Sequence, residues 1–285
     1  MPHVARNEYD LYHQATGPPD GPTLVLVAGL GEQIGSVEYP EEQCEAFARR
    51  GFRVVRMDNR TMGHSQPHSG VSPQPFTQQD LADDVAAVID DLDVGPVHLV
   101  GASMGGAIVR WTTLRHPDRV ATLTVVMASA GGDPDDPTSP TRPPDSGPRL
   151  LAMGERRERD EAIDFTVETW RWLWGGRYPF EEAWVRERVT AAHDRNYNPE
   201  GIQLMLRSLA GGPFLREAQA AIACPTLVMH GGDDPVFGEE HGRDIAERIP
   251  GAQLWLDPKM GHIMHREQWE EMADRVAFLA GIDGA

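Results

Sequence analysis

The chain of 285 residues is long enough for one large α/β domain, or for a core domain that carries an inserted subdomain. Its 40% hydrophobic and 25% charged residues are ordinary for a folded globular protein and argue against wholesale disorder. A formal net charge of −18 argues against a nucleic acid or an anionic membrane as a partner.

The N-terminus has no apolar stretch of the length found in signal peptides. A run of 18 apolar residues, which a membrane-spanning helix would need, does not occur in the sequence. We therefore expect a cytoplasmic protein.

Short apolar runs rich in β-branched residues alternate with helix-like stretches in the first part of the chain. Four runs are typical of strands buried on both faces: residues 23–29, 53–58, 97–101 and 122–127. Apolar residues at helical spacing predict helices over residues 79–92 and 104–116. The alternation predicts a parallel sheet covered by helices on both faces.

The alternation breaks after the fourth predicted strand. Residues 131–148 are dense in proline and glycine, which can continue neither a helix nor a central strand. Residues 149–215 are helical in character, and strands and helices alternate again from residue 225 to a last helix over about residues 266–279. We predict an α/β core from residues 1–130 and 223–285, with a helical cap inserted at residues 131–222.

The sequence GASMG at residues 101–105 matches G-x-S-x-G between a predicted strand and a predicted helix. This context makes the match specific, because a sharp strand-to-helix turn needs small neighbours at Gly101 and Gly105. The turn would present the Ser103 hydroxyl at a helix N-terminus, where partial positive charge favours a developing anion. Ser103 is therefore the candidate nucleophile, and it needs a general base from elsewhere in the chain.

In an α/β fold with a serine at this kind of turn, the order along the chain is serine, acid, histidine. The acid and the histidine that would serve Ser103 should therefore both follow it in the sequence. His262 lies between the last predicted strand and the last predicted helix, at a sheet edge where ligands bind, and His265 is its near rival. Asp234, which follows a strand in the sequence HGGDDPV, is the candidate acid that orients the imidazole. Asp133 is the alternative acid.

A tetrahedral intermediate needs two backbone N–H groups for its oxyanion. Met104, the residue after the serine, is one candidate donor, and Leu30 in the loop after the first buried strand is the other. The sequence holds no dinucleotide motif, phosphate loop or convincing metal-ligand spacing, so we expect no cofactor and no metal.

With strand, serine, acid and histidine in this order, the chain resembles the α/β-hydrolase superfamily over nearly all of residues 8–282. The sequence DNRTMGHS at residues 58–65 is similar to the D-x-R-x-x-G-x-S loop of bacterial capped esterases that include the aclacinomycin methylesterase group. The sequence RNYNPEG at residues 195–201 is similar to their cap. The family usually begins its oxyanion loop with His-Gly, whereas Ala28 precedes Gly29 here.

The resemblance implies an eight-stranded, mostly parallel sheet with an antiparallel second strand and a helical cap over the site. It implies a serine hydrolase that cleaves a carboxylic ester through an acyl-enzyme intermediate. C–C bond, lactone or thioester hydrolysis by the same residues stays open. The alternative from another class is a ligand-binding or receptor protein that retains the hydrolase pocket.

The predicted cap is rich in large apolar side chains. They could line a pocket for a small apolar or aromatic ester, or simply pack cap helices on one another. These side chains are Met153, Phe165, Trp170, Trp172, Trp174, Phe180, Trp184 and Leu204. Apolar cap faces also leave a homodimer open.

Overall fold

The computed structural model describes residues 3–133, 135–209 and 214–282. Residues 134 and 210–213 of the predicted cap, and the residues at both ends of the chain, lie outside this part. Among the described residues, no helix combines the length and the apolar character that crossing a bilayer requires.

The strands form one mostly parallel sheet. They are β1 (His3–Arg6), β2 (Tyr9–Thr16), β3 (Thr23–Val27), β4 (Arg53–Met57), β5 (Gln66–Pro67), β6 (Val97–Ala102), β7 (Val120–Val126), β8 (Thr226–Gly231) and β9 (Gln253–Asp257). Their order in space is β1-β2-β4-β3-β6-β7-β8-β9, and β2 runs antiparallel to its neighbours β1 and β4. Eight strands thus follow the expected path, and the short β5, which pairs with β2, brings the sheet to nine strands instead of eight.

The helices are α1 (Glu41–Ala48), α2 (Gln78–Asp91), α3 (Met104–Arg115), α4 (Ser146–Ala152), α5 (Arg159–Leu173), α6 (Glu182–Arg195), α7 (Pro199–Ser208), α8 (Leu215–Ala218), α9 (Glu239–Arg248) and α10 (Trp269–Leu279). Helices α4 to α8 follow β7 and precede β8 in the chain. A 3₁₀ turn at Arg266–Gln268 precedes α10, which therefore begins three residues later than its sequence pattern predicts.

Successive side chains of the central strands point to opposite faces of the sheet, and helices bury both faces. In β3, Val25 and Val27 pack in a cluster with side chains of α2, α3 and α9. Leu24 and Leu26 pack in a second cluster with α1 and α10. A strand that is covered on both faces needs a continuous run of apolar residues. This run is the pattern that predicted β3 from the sequence.

The helices between β7 and β8 contact the loops that follow the parallel strands. At the end of α6, Arg195 pairs with Asp58 of the loop after β4 at 2.6 Å. At the end of α5, the carbonyl oxygen of Leu173 accepts the backbone N–H of His262, at 2.7 Å, from the loop after β9. These contacts place the segment over the carboxyl edge of the sheet, and its role as a separate cap at residues 131–222 stays a prediction.

Candidate active site

Ser103 lies at the turn from β6 into α3, with φ 53° and ψ −117°. A Cβ on Gly101 would lie 2.3 Å from the carbonyl oxygen of Gly105, and one on Gly105 would lie 2.1 Å from that of Val27. Only glycine fits such close approach of two backbones. The Ser103 N–H donates to Val126 of β7 at 2.9 Å, so neighbouring strands hold the strained turn in place.

His262 lies in the loop after β9, with its ring against the serine. Its Nε2 is 2.9 Å from Ser103 Oγ. The backbone of this loop packs directly on the end of α5, because a Cβ on Gly261 would lie 2.3 Å from the carbonyl oxygen of Trp174. The position of the imidazole therefore depends on the inserted helices as well as on the sheet.

Asp234 lies in the loop after β8, and its side chain is completely buried. Oδ2 is 2.7 Å from His262 Nδ1, and Oδ1 accepts the backbone N–H groups of Val236 and Phe237 at 2.7 and 2.9 Å. One oxygen thus holds the loop and the other faces the imidazole. A carboxylate in this position favours the tautomer with a proton on Nδ1, which leaves Nε2 able to accept a proton from Ser103.

The rival histidine and the alternative acid make other contacts. The ring of His265 packs against Tyr178, with centroids 4.2 Å apart, and its burial lowers the pKa of His265 to about 4. Asp133 Oδ1 accepts the backbone N–H of Asp135 at 2.9 Å in an exposed turn. The structure therefore brings Asp234 to the pair formed by Ser103 and His262, whereas His265 and Asp133 contact residues of their own surroundings.

The two expected oxyanion donors both lie beside the serine. Leu30 follows Gly29 in the loop after β3, and a Cβ on Gly29 would lie 3.1 Å from Ser103 Cβ. Met104 is the first residue of α3, where a backbone N–H has no partner within the helix. The geometry thus brings the Leu30 loop and the Met104 N–H to the same serine.

Two buried glutamates behind this loop were missed by the sequence analysis. Glu38 Oε2 accepts the Gly29 N–H at 2.7 Å, and Glu32 Oε2 accepts the Ser36 hydroxyl at 2.5 Å and the Glu38 N–H at 3.0 Å. Desolvation raises the pKa of both carboxyls, and repulsion from Glu32 helps to hold the pKa of Glu38 well above its usual range. In the sequence, the sign of these two glutamates was their position just after Leu30. Acidic residues at such a position are also typical of an ordinary exposed loop, so they did not stand out.

The residues that resemble the D-x-R-x-x-G-x-S loop connect the site to the rest of the molecule. Asp58 Oδ1 accepts the backbone N–H of Ile34 at 2.7 Å, close to the oxyanion loop, while its Oδ2 pairs with Arg195 of α6. Arg60 forms a buried ion pair with Asp84 of α2. This motif therefore joins the loop after β3, the inserted helices and α2, and none of its hydrogen bonds in the described part of the chain reaches Ser103.

A cavity opens onto Ser103 and His262 and holds about 1040 Å³ of empty space, counting its mouth. Of the four tryptophans in the predicted cap, Trp170 lines it, while Trp174 and Trp184 pack on each other at 6.4 Å. Other large apolar side chains of the inserted segment that line it are Leu150, Met153, Ile163, Phe165, Leu173, Val189 and Ile202. The cap residues therefore divide between lining the pocket and packing helices together.

The remaining side chains of the predicted apolar set, Trp172, Phe180 and Leu204, are not part of the lining of this cavity. The ring of Phe180 meets that of Trp174 edge-on at 5.3 Å. The guanidinium of Arg149 lies over the ring of Trp172 at 5.1 Å. Leu204 packs against the core beneath the insertion. These side chains stabilise the helices that form the pocket wall.

Comparisons with known proteins agree with this architecture. The profile of a family described as alpha/beta hydrolase fold matches residues 22–268. Rhodomycin D methylesterase DauP of Streptomyces sp. (strain C5) is 29% identical over 287 residues, covering 95% of this chain and 94% of that protein. Serine hydrolase BPHL of Homo sapiens is 25% identical and covers 92% of this chain and 80% of its own length. The crystal structure of a hydrolase from Pseudomonas aeruginosa PA01 matches with a TM-score of 0.77 at 26% identity, covering 98% of both chains.

Proposed function

The chain belongs to the α/β hydrolase fold family, and on that premise we propose that Ser103, His262 and Asp234 are the nucleophile, base and orienting acid of its active site. It is a carboxylic-ester hydrolase, as its methylesterase relatives are. The observation that carries the assignment is the continuous line of hydrogen bonds, 2.7 Å from Asp234 to His262 and 2.9 Å from His262 to Ser103.

In the proposed reaction, His262 takes the proton of Ser103 while Oγ attacks the ester carbonyl. The backbone N–H groups of Leu30 and Met104 stabilise the oxyanion. His262 then protonates the leaving alcohol, and water activated by the same imidazole hydrolyses the acyl-enzyme. Asp234 does not take the proton itself but stabilises the imidazolium.

The substrate is a small-molecule ester, and we propose that its acid part is apolar or aromatic. The lining of Trp170, Phe165 and Met153 supports this class, because such side chains stabilise apolar groups that leave water. The similarity to a rhodomycin D methylesterase supports a methyl ester as the group cleaved. The net charge of −18 supports the absence of nucleic-acid and membrane partners, and we propose a cytoplasmic location.

We also propose that two copies of the chain pair through the inserted segment. Leu151, Leu209 and Phe214 are 64%, 43% and 46% exposed there, and an apolar contact would cover them. Sedimentation equilibrium tests this proposal, and a monomer at high protein concentration would exclude it.

The deciding experiment measures hydrolysis of p-nitrophenyl esters of increasing chain length by the wild type, Ser103→Ala and the exposed control Ser69→Ala. We expect Ser103→Ala to lose at least about 10⁴-fold in kcat, because the acyl-enzyme cannot form. Ser69→Ala should keep the wild-type rate. A Ser103→Ala rate within about tenfold of wild type would exclude the assigned nucleophile.

Other outcomes bear on the alternatives. A burst of one equivalent that is not followed by turnover would favour the ligand-binding reading. Faster turnover of a lactone or thioester series than of any ester would favour those reactions, with the same loss in Ser103→Ala. An ester series with a clear optimum in acyl length would measure the depth of the acid-binding part of the cavity.

A further inference from the structure

The first three residues of the loop after β3 carry no polar side chain that could hold the oxyanion donor in place. These residues are Ala28, Gly29 and Leu30, so partners elsewhere must fix the backbone. Asn59 Nδ2 donates to the Ala28 carbonyl oxygen at 3.0 Å, and Glu38 Oε2 accepts the Gly29 N–H at 2.7 Å. The peptide immediately before the proposed donor, Leu30, is thus tied to a glutamate side chain.

Glu38 is also close to the reacting centre. A Cβ on Gly29 would lie 3.1 Å from both Glu38 Oε1 and Ser103 Cβ, so the carboxyl and the serine flank the same glycine. Both side chains line the cavity. A full negative charge on Glu38 would therefore act at short range on an oxyanion formed at Ser103, where little water screens it.

The surroundings of Glu38 disfavour its charged form. Among the ion pairs in the described part of the chain, none joins an arginine, lysine or histidine to Glu38 or Glu32. Glu32 accepts two hydrogen bonds through Oε2, which favour a charge there, and that charge opposes ionisation of Glu38. Tyr39 is the other titratable side chain that interacts with Glu38, and burial holds the pKa of this tyrosine well above its usual range.

We propose that Glu38 is a positioning residue of the oxyanion hole, whose carboxyl accepts the Gly29 N–H and so aims the Leu30 N–H at the oxyanion. The inference rests on the proposed function, because it requires Ser103 to be the nucleophile. Loss of the carboxyl should slow the chemical step far more than it weakens binding of the ground-state ester. A glutamine should serve nearly as well, because its amide oxygen accepts the same N–H and its amide carries no charge.

The test compares kcat and KM of the full chain for Glu38→Met and Glu38→Gln, with Glu45→Met and Glu45→Gln as controls. Glu45 lies on the neighbouring helix α1 with an exposed side chain. We expect Glu38→Met to lower kcat about 30–100-fold with KM changed less than about threefold. Glu38→Gln at pH 7 and both control variants should stay within about threefold of wild type.

The pH profile separates this role from simple structural support. Burial and the neighbouring Glu32 raise the pKa of the Glu38 carboxyl, so its ionisation moves to higher pH, where the charge that forms should lower kcat of the wild type. Glu38→Gln cannot ionise, so its alkaline limb should lie at higher pH than that of the wild type and of Glu45→Gln. The acidic limb should be the same in all of them.

Three results would overturn the inference: wild-type kcat in Glu38→Met, a Glu38→Gln enzyme as slow as Glu38→Met, or an unchanged alkaline limb in Glu38→Gln. If Glu38→Met does not fold, the profile of Glu38→Gln decides alone. Absence of ester turnover in the wild type would remove the proposed function and this inference together. If the wild type turns over esters and Glu38→Met has the same kcat, this inference fails and the proposed function stands.

Discussion

Asp234 divides its two carboxylate oxygens between a structural and a chemical task. Oδ1 holds the backbone of Val236 and Phe237, and Oδ2 faces His262 Nδ1. The adjacent carboxylate of Asp233 instead accepts the N–H of Gly176, after α5. The two neighbouring aspartates thus have different roles because their carboxylates contact different partners. Substituting one of them therefore tests its role without changing that of the other.

We predict that Asp234→Asn keeps the fold and loses activity. The asparagine oxygen can accept the two backbone N–H groups, but its NH₂ then faces His262 Nδ1 and imposes the tautomer with a proton on Nε2. That nitrogen cannot take the proton of Ser103, so kcat should fall about 10³–10⁴-fold. Steady-state kinetics and urea unfolding of Asp234→Asn and the matched control Asp233→Asn check this. Equal losses in both variants would contradict the proposed role of Asp234.

At the scale of elements, the buried strands and the helices α2 and α3 were predicted to within a few residues, whereas β1 and β2 at one edge of the sheet were not. Strand β3 is buried at every position, so its apolar run marks it in the sequence. Strand β2 alternates between buried and exposed residues and contains polar side chains, which hides it among loops. Helix α1 has four charged or polar residues among its first five and was also missed.

Helix α3 carries an arginine that joins it to both ends of the inserted segment. The completely buried Arg110 donates from Nη2 to the Ser129 carbonyl oxygen at 2.5 Å, where the chain leaves the sheet. It donates from Nη1 to Gln219 Oε1 at 2.7 Å, where the chain returns. Burial lowers the pKa of Arg110 to about 9, because its partners are neutral oxygens. The guanidinium of Arg110 therefore connects α3, the helix that follows Ser103, to both ends of the inserted segment.

We predict that Arg110→Met destabilises the protein by about 3 kcal/mol or more, because buried carbonyl and amide oxygens lose their donor. The matched control is Arg115→Met on the same helix, whose ion pair with Asp83 is 42% exposed on the arginine side and is expected to contribute below about 1 kcal/mol. Urea unfolding of both variants measures the difference. A loss in Arg110→Met no larger than that in Arg115→Met would contradict the role of Arg110 as a junction.

At the scale of the whole molecule, several histidines are buried in the neutral form. Desolvation lowers the pKa of each of them, most clearly for His265, to about 4; the others are His13, His98, His230 and His241. For His265, Asp257 and Asp233 oppose the shift without cancelling it. In the unfolded chain an ordinary histidine takes its proton near pH 6.5, so the unfolded state binds protons first as the pH falls.

We predict that the free energy of unfolding falls as the pH drops from about 6.5 towards 4, and that His265 accounts for about 2–3 kcal/mol of this loss. The sign follows from the lowered pKa: the contribution is complete above 6.5 and disappears through 4. In His265→Gln the loss over this window should be smaller by that amount, whereas the exposed control His64→Gln should follow the wild type. Urea unfolding at several pH values checks this, and parallel curves for wild type and His265→Gln would contradict it.

The sequence by itself determined the α/β alternation and the turn at Ser103, and it indicated Asp234 and His262 as candidates, because each of these is marked by a pattern of residues close together in the chain. Tertiary structure decided how Glu38 supports Gly29, how Arg110 meets Gln219, 109 positions away, and how α5 holds the loop of His262. Such contacts arise where loops from different strands meet at one edge of the sheet. These contacts leave no periodic pattern in the sequence. The distance between their partners in space is set by how the elements pack, and not by the number of residues that separate the partners in the chain.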